Sequence, residues 1–214
     1  MIEDLQKLVE IECDEEKLKL SSKDYPFSLS LRVSSFENET EYTRFARNCE
    51  KLVRSSLEYK QWKDYIRDVL QQNACDVTHE TVGEVEVQIH HHIPTLFQIV
   101  KAIINKKVAS EQSFSTFDIC LEVIEVHYKN WVGYSCLVTT IHEKITNGYL
   151  SLPVELVHGN YRAFLEQYGQ YLDTSDLEEI NEKLSVSLKT MPREQIVEWS
   201  KDNYPGFKFR EATI

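Results

Sequence analysis

Long apolar runs are missing from this chain. No stretch approaches the roughly 20 residues that a helix needs to cross a bilayer, so no membrane span is expected. Paired cysteines are missing as well. Cys13, Cys49, Cys75, Cys120 and Cys136 form no CxxC pair, and an odd count in 214 residues points to reduced, mostly buried thiols and away from a zinc ribbon. The opening residues, MIEDLQKLVEIECDEE, lack the basic start of a signal or transit peptide, which makes a cytoplasmic location the expectation. There is neither an internal repeat nor a low-complexity linker. Positive charge is in deficit: 24 Lys and Arg against 35 Asp and Glu leave a formal net charge of −11. A uniformly acidic surface repels a polyanion, so nucleic-acid binding would need a local basic patch.

The remaining composition is that of a globular protein able to bury a sizeable core, with 42% hydrophobic and 28% charged residues. Charge is unevenly spread. Residues 1–16 carry seven acids against Lys7 alone, whereas residues 43–72 carry seven bases (Arg44, Arg47, Lys51, Arg54, Lys60, Lys63 and Arg67) against four acids. That basic stretch leads towards VEVQIHHHIPTL, residues 85–96, where an alternating strand pattern runs into three histidines, a proline and an apolar helix.

Periodicity predicts a mostly helical α+β protein. FSLSLRVS (27–34) alternates as a strand. A helix is expected over about 40–51, then another capped by Ser55 or Ser56 with Trp62, Tyr65, Ile66, Val69 and Leu70 on one face. Residues 74–82 and 84–91 read as a hairpin about Gly83. From Thr95, Leu96, Val100, Ile103 and Ile104 share a helical face. A helix over 115–128 would turn Phe117, Cys120, Leu121, Ile124 and Tyr128 inward, and His127 is expected to pack or to make a local hydrogen bond. A helix is expected over 135–147, stopped by Gly148, followed by helices near 160–172, 175–188 and 193–201. Ser175 with Glu178 fits a capping box, and Pro192 suits a first helical turn. In 161–172, Tyr161, Phe164, Leu165, Tyr168 and Leu172 form a stripe read as packing, with a partner-binding face as the alternative.

Imidazole is the commonest protein ligand for transition metals and can act as a general base. In a regular strand His90 and His92 would share one face and His91 the other. RSSLEYKQWKDYIRDVLQQNACDVT, the strand ending VQIHHHIP and KNWVGYSCLVTTIHEKITNG together resemble the HNH (ββα-metal, His-Me finger) endonuclease family, as a divergent phage or bacterial-type member. The resemblance covers 54–94 and 129–148. It implies a small ββα-metal-like hairpin core with extra helices, divided as an acidic extension (1–53), an HNH-like core with a helical insert at 95–128 (54–150) and a C-terminal helical extension (151–214).

Carried over, the family's pattern makes His91 the general base, Asn130 the residue that orients it, and His90 and His142 ligands of one divalent metal (Mg, Mn, Ni or Zn). His92 is the rival for either histidine role. DNA would be the substrate, cleaved by metal-assisted phosphodiester hydrolysis. No organic cofactor and no membrane partner are implied. Thr146 stands where the family has its last helix histidine, and Thr78 where a knuckle cysteine would be. The missing helix histidine and the net charge of −11 favour a second reading, a lapsed HNH-fold binder that engages a protein partner through its acidic surface or its aromatic C-terminal stripe, while the retained His90-His91, Asn130 and His142 with the basic entry helix favour the enzyme. A third reading is an unrelated α+β protein whose three histidines coincide with the pattern.

Overall fold

A computed structural model describes residues 32–83 and 85–189 of the chain. Cys13, Pro192, the expected helix over 193–201 and most of the expected strand over 27–34 lie outside these residues.

Capping chemistry written in the sequence sets most helix starts. Asn38 accepts from the Glu41 amide at 3.0 Å and begins α1 (Glu39–Ser55). Ser56 accepts from the Tyr59 amide and begins α2 (Leu57–Asp64), which loosens into a π-helical turn over Tyr65–Val69. Thr95 with Gln98 and Ser115 with Asp118 form reciprocal capping boxes for α3 (Leu96–Ala109) and α4 (Thr116–Tyr128). Later come α5 (Thr139–Thr146), α6 (Tyr161–Tyr168) and α7 (Thr174–Ser185). The expected capping box at Ser175 is not formed. Asp173 precedes α7, and its carboxylate binds Lys101 Nζ at 2.5 Å instead of capping the helix.

The single sheet among the described residues pairs β1 (Val87–Ile93) with β2 (Gly133–Val138) antiparallel, from Val87 opposite Val138 to Ile93 opposite Gly133. Mixed α+β, mostly helical, is therefore the observed class. The strand partners differ from the expectation. Residues 74–81 do not pair with β1. They close on themselves through a bridge between Ala74 and Thr81, and Asp76 ties the turn to β2, its carboxylate accepting from the Cys136 amide at 2.6 Å. Residues 135–138, expected as helix, are strand. All six residues of β2 are buried, so the segment has no alternation by which its sequence could announce a strand.

Helices α3 and α4 pack together between the two strands in sequence and against α1 in space. Their core face is made of Leu96, Ile99, Val100, Ile103 and Ile104 from α3 with Ile119, Val123 and Val126 from α4. Phe117, Leu121 and Tyr128, expected inward, lie on the exposed side. The π turn likewise leaves Tyr65, Val69 and Leu70 outside, while Tyr59, Trp62 and Ile66 point in. Tyr161, Phe164, Tyr168 and Leu172 are buried, so the C-terminal aromatic stripe is a packing surface. Glu122 holds three elements together, accepting from Lys106 and Lys107 of α3 and from the Tyr168 hydroxyl of α6.

Two glycines sit where no side chain fits. A Cβ at Gly133 would lie 2.3 Å from Ile93 O, and one at Gly159 would lie 2.0 Å from Val132 O at a φ of +84°. Gly169 has open space at the same position and ordinary helical dihedrals. Gly159→Ala is expected to lower unfolding free energy by roughly 1–3 kcal/mol, and Gly169→Ala to be neutral or slightly stabilising. Paired urea titrations check this, and equal effects at the two sites would contradict the packing described.

Candidate functional site

The histidine strand has two chemically different sides. In the ladder His90 stands opposite Ser135 and His91 opposite Tyr134. The register then shifts before Ile93, which leaves His92 as the extra residue of a bulge. His91 turns towards α2 and α4, while His90 and His92 turn to the other side with His142 of α5.

On the first side His91 is 7% exposed and lies among Tyr59, Trp62 and His127, with ring centroids 5.9, 5.4 and 5.0 Å away. Its Nε2 is 2.8 Å from His127 Nε2, and its Nδ1 is 3.4 Å from the Tyr59 hydroxyl. His127 Nδ1 lies 2.7 Å from Val123 O. That carbonyl can only accept, so the assignment of protons follows from it. His127 carries its proton on Nδ1 and accepts at Nε2; His91 donates from Nε2 and accepts at Nδ1; Tyr59 donates to His91. Every ring nitrogen is satisfied with both imidazoles neutral. Burial enforces that state, pushing His127 down to about 4 and His91 well below the usual histidine range, with the neighbouring His127 charge as the next cause for His91.

On the second side the His90 ring lies 4.9 Å from that of His142 and 5.6 Å from that of His92. His92 is buried, and its ring nitrogens make no hydrogen bond of normal geometry, the Leu152 backbone offering only a loose one. Burial holds His90 down to about 3, helped by the charges of His142 and His92, and holds His92 down to about 4. Half-buried His142 is lowered by burial too. Among the described residues no group of three or more His, Cys, Asp and Glu side chains is placed to hold a metal ion.

The structure thus brings His90, His92 and His142 together but separates them from His91. Asn130 is exposed, adopts a φ of +58°, and accepts from the Asn160 amide through its backbone carbonyl at 2.7 Å. Its side chain makes no hydrogen bond to His91. The buried Cys75 thiol accepts from the amides of Thr78 and Val138. Sequence reading missed the pairing of Asp76 with His158, whose Nε2 lies 2.8 Å from the carboxylate and whose pKa this contact raises. It also missed Tyr59 and His127 as the partners of His91. The inward position of His127 on its helix was the available signal.

A family model described as bacteriophage G278-like virion protein matches residues 2–202. No curated protein and no solved structure matches the chain. The family match overturns the resemblance to HNH endonucleases, and with it the endonuclease reading and its lapsed-binder variant. The nuclease, hydrolase and metal-binding expectations derived from that resemblance fall too, whereas the phage association stands. The physical reason lies in the histidines: the one assigned as base is sealed in the core with both nitrogens engaged.

Because His90, His92 and His127 have lowered pKa values when folded, the unfolded chain binds more protons than the native one between about pH 6.5 and 3–4. Their contribution is complete above about 6.5 and is lost as pH falls through that window. His158, raised by Asp76, acts with the opposite sign, stabilising below about 6.5 and losing this as pH rises through its folded pKa. Melting temperature is therefore expected to fall from pH 7 to pH 5, before the carboxylates titrate. A flat profile over that range would refute the neutral cluster. His127→Phe should cost about 1–3 kcal/mol by stranding the His91 donor, and the His91→Phe/His127→Phe pair should cost less than the sum of its singles. A double-mutant cycle in urea measures the difference.

Proposed function

The chain belongs to the bacteriophage G278-like virion protein family, and on that premise we propose that it is a structural component of a phage particle. It works through protein contacts and not through bond chemistry. The observation that carries the reading is the family match across residues 2–202, which takes in every element described above. The geometry is consistent with it. The side chains best suited to chemistry are spent on the interior, where His91, His127 and Tyr59 bond to one another and His92 fills a strand bulge.

Charge and hydropathy fit the same role. A net charge of −11 disfavours contact with packaged nucleic acid and favours protein neighbours. No helix among the described residues is long and apolar enough to cross a membrane. The proposed location is the particle, and the role calls for no metal ion or organic cofactor.

The test is physical association with particles. Density-banded particles from the phage encoding this chain, washed in high salt, are expected to contain it at a fixed ratio to the major capsid protein by quantitative mass spectrometry. Abundance in the infected-cell lysate combined with absence from banded particles would overturn the proposal.

A further inference from the structure

Cys49, Cys75, Cys120 and Cys136 are free, buried thiols, and two of them meet across a helix interface. Cys49 lies on the inner face of α1 near Ala46, both fully buried, and side chains this small let α4 come close. Cys120 of α4 reaches across with its Sγ 3.6 Å from Cys49 O, where its thiol donates to that carbonyl. The Cys49 thiol has the Cys120 side chain as its own hydrogen-bond partner. Each sulfur therefore finds its polar neighbour in the other cysteine. Helices whose axes run roughly 8–10 Å apart bring facing Cα atoms to about 4–6 Å, the span that a disulfide bridges. The other two thiols are held differently. Cys136 donates to Gln72 O at 3.4 Å, and Cys75 accepts from the Thr78 and Val138 amides.

We propose that Cys49 and Cys120 are a disulfide-forming pair, closed by a hydroperoxide into a covalent link between α1 and α4. Cys120 keeps 9% exposure and Cys49 none, so the oxidant meets Cys120 first. The Cys120 sulfur attacks one peroxide oxygen and the O–O bond breaks. A sulfenic acid forms on Cys120, and the other oxygen leaves as water with the thiol proton. The Cys49 sulfur then attacks the Cys120 sulfur, the S–O bond breaks, and a second water carries off the Cys49 proton. The two sulfurs lose two electrons and the peroxide gains them. The thiolate is the reactive form, and burial pushes the Cys49 thiol well above its ordinary range, so closure takes on the order of hours.

The link joins residues 71 apart in sequence and encloses α2, β1 and α3. Closing a loop of that length removes freedom from the unfolded chain and so favours the folded one. The setting rests on the reading of the chain as a structural part of a phage particle. Such a chain folds in a reducing cell interior and meets oxidising surroundings once the particle is released. A thiol pair that stays open during folding and closes afterwards suits that passage.

Peptide mapping of the purified full chain is the test, after the native protein has been incubated with excess hydrogen peroxide and its remaining thiols alkylated. Trypsin releases Cys49 within residues 48–51 and Cys120 within residues 108–129. Expected are these two peptides joined, lighter than their sum by two hydrogens and separated by dithiothreitol. The linked protein should melt roughly 5–15 °C above the reduced one, a gain that dithiothreitol reverses. Cys13→Ser should change neither result. Thiols left unlinked in the native protein would overturn the inference, as would sulfinic acid on Cys120 beside a Cys49 that still alkylates. So would a link that forms only in urea, or one that lowers the melting temperature. The assay uses no particles. Absence of the chain from virions would remove the oxidising setting and leave a mapped bond standing, whereas unlinked thiols would remove only this inference.

Discussion

The fold depends on the closure of β1 onto β2. A two-stranded sheet alone is marginal in water, and this one persists because both of its faces are covered. Tyr59, Trp62 and His127 cover one face around His91, and α5 with His142 covers the other around His90. Gly133 lets the strands approach at the point where the Ile93 carbonyl leaves no room for a side chain. With the strands fixed, α3 and α4 are drawn back on themselves and present their apolar side to α1. Helix α7 then docks through polar ties: Lys101 to Asp173 and Asp176, Gln98 to Glu179, and Lys183 to the His92 carbonyl.

Helices were legible in the sequence wherever a cap and a period agreed. Thr95 with Gln98 and Ser115 with Asp118 mark two starts, and Leu96, Val100, Ile103 and Ile104 give a single unambiguous face. Strand pairing was not legible, because β1 finds its partner at least 40 residues away and β2 is buried on every side. Nor was the orientation of α4. Its sequence holds two apolar stripes, one through Ile119, Val123 and Val126 and another through Phe117, Leu121 and Tyr128, and periodicity alone cannot say which one a neighbour covers.

The histidines show why residue type underdetermines chemistry. His90, His92 and His142 do assemble, as their placement on a strand and a following helix suggested. What separates a catalytic imidazole from a packed one is access and the partners of its two nitrogens, and these come from residues distant in sequence. His127 supplies the acceptor for His91, Val123 fixes the tautomer of His127, and Tyr59 closes the last position.

The long interval between β1 and β2 also bears on how the chain is made. During synthesis β1 emerges first and must wait, unpaired, while the whole α3–α4 segment and then β2 follow. An unpaired strand of valine and isoleucine would be a template for aggregation. Three consecutive imidazoles make β1 more polar than such a strand. Lysine or glutamate would do that as well, but could enter this interior only at the cost of burying a charge. Histidine, with an ordinary pKa of about 6.5, is largely neutral at pH 7 and can enter this interior without that cost.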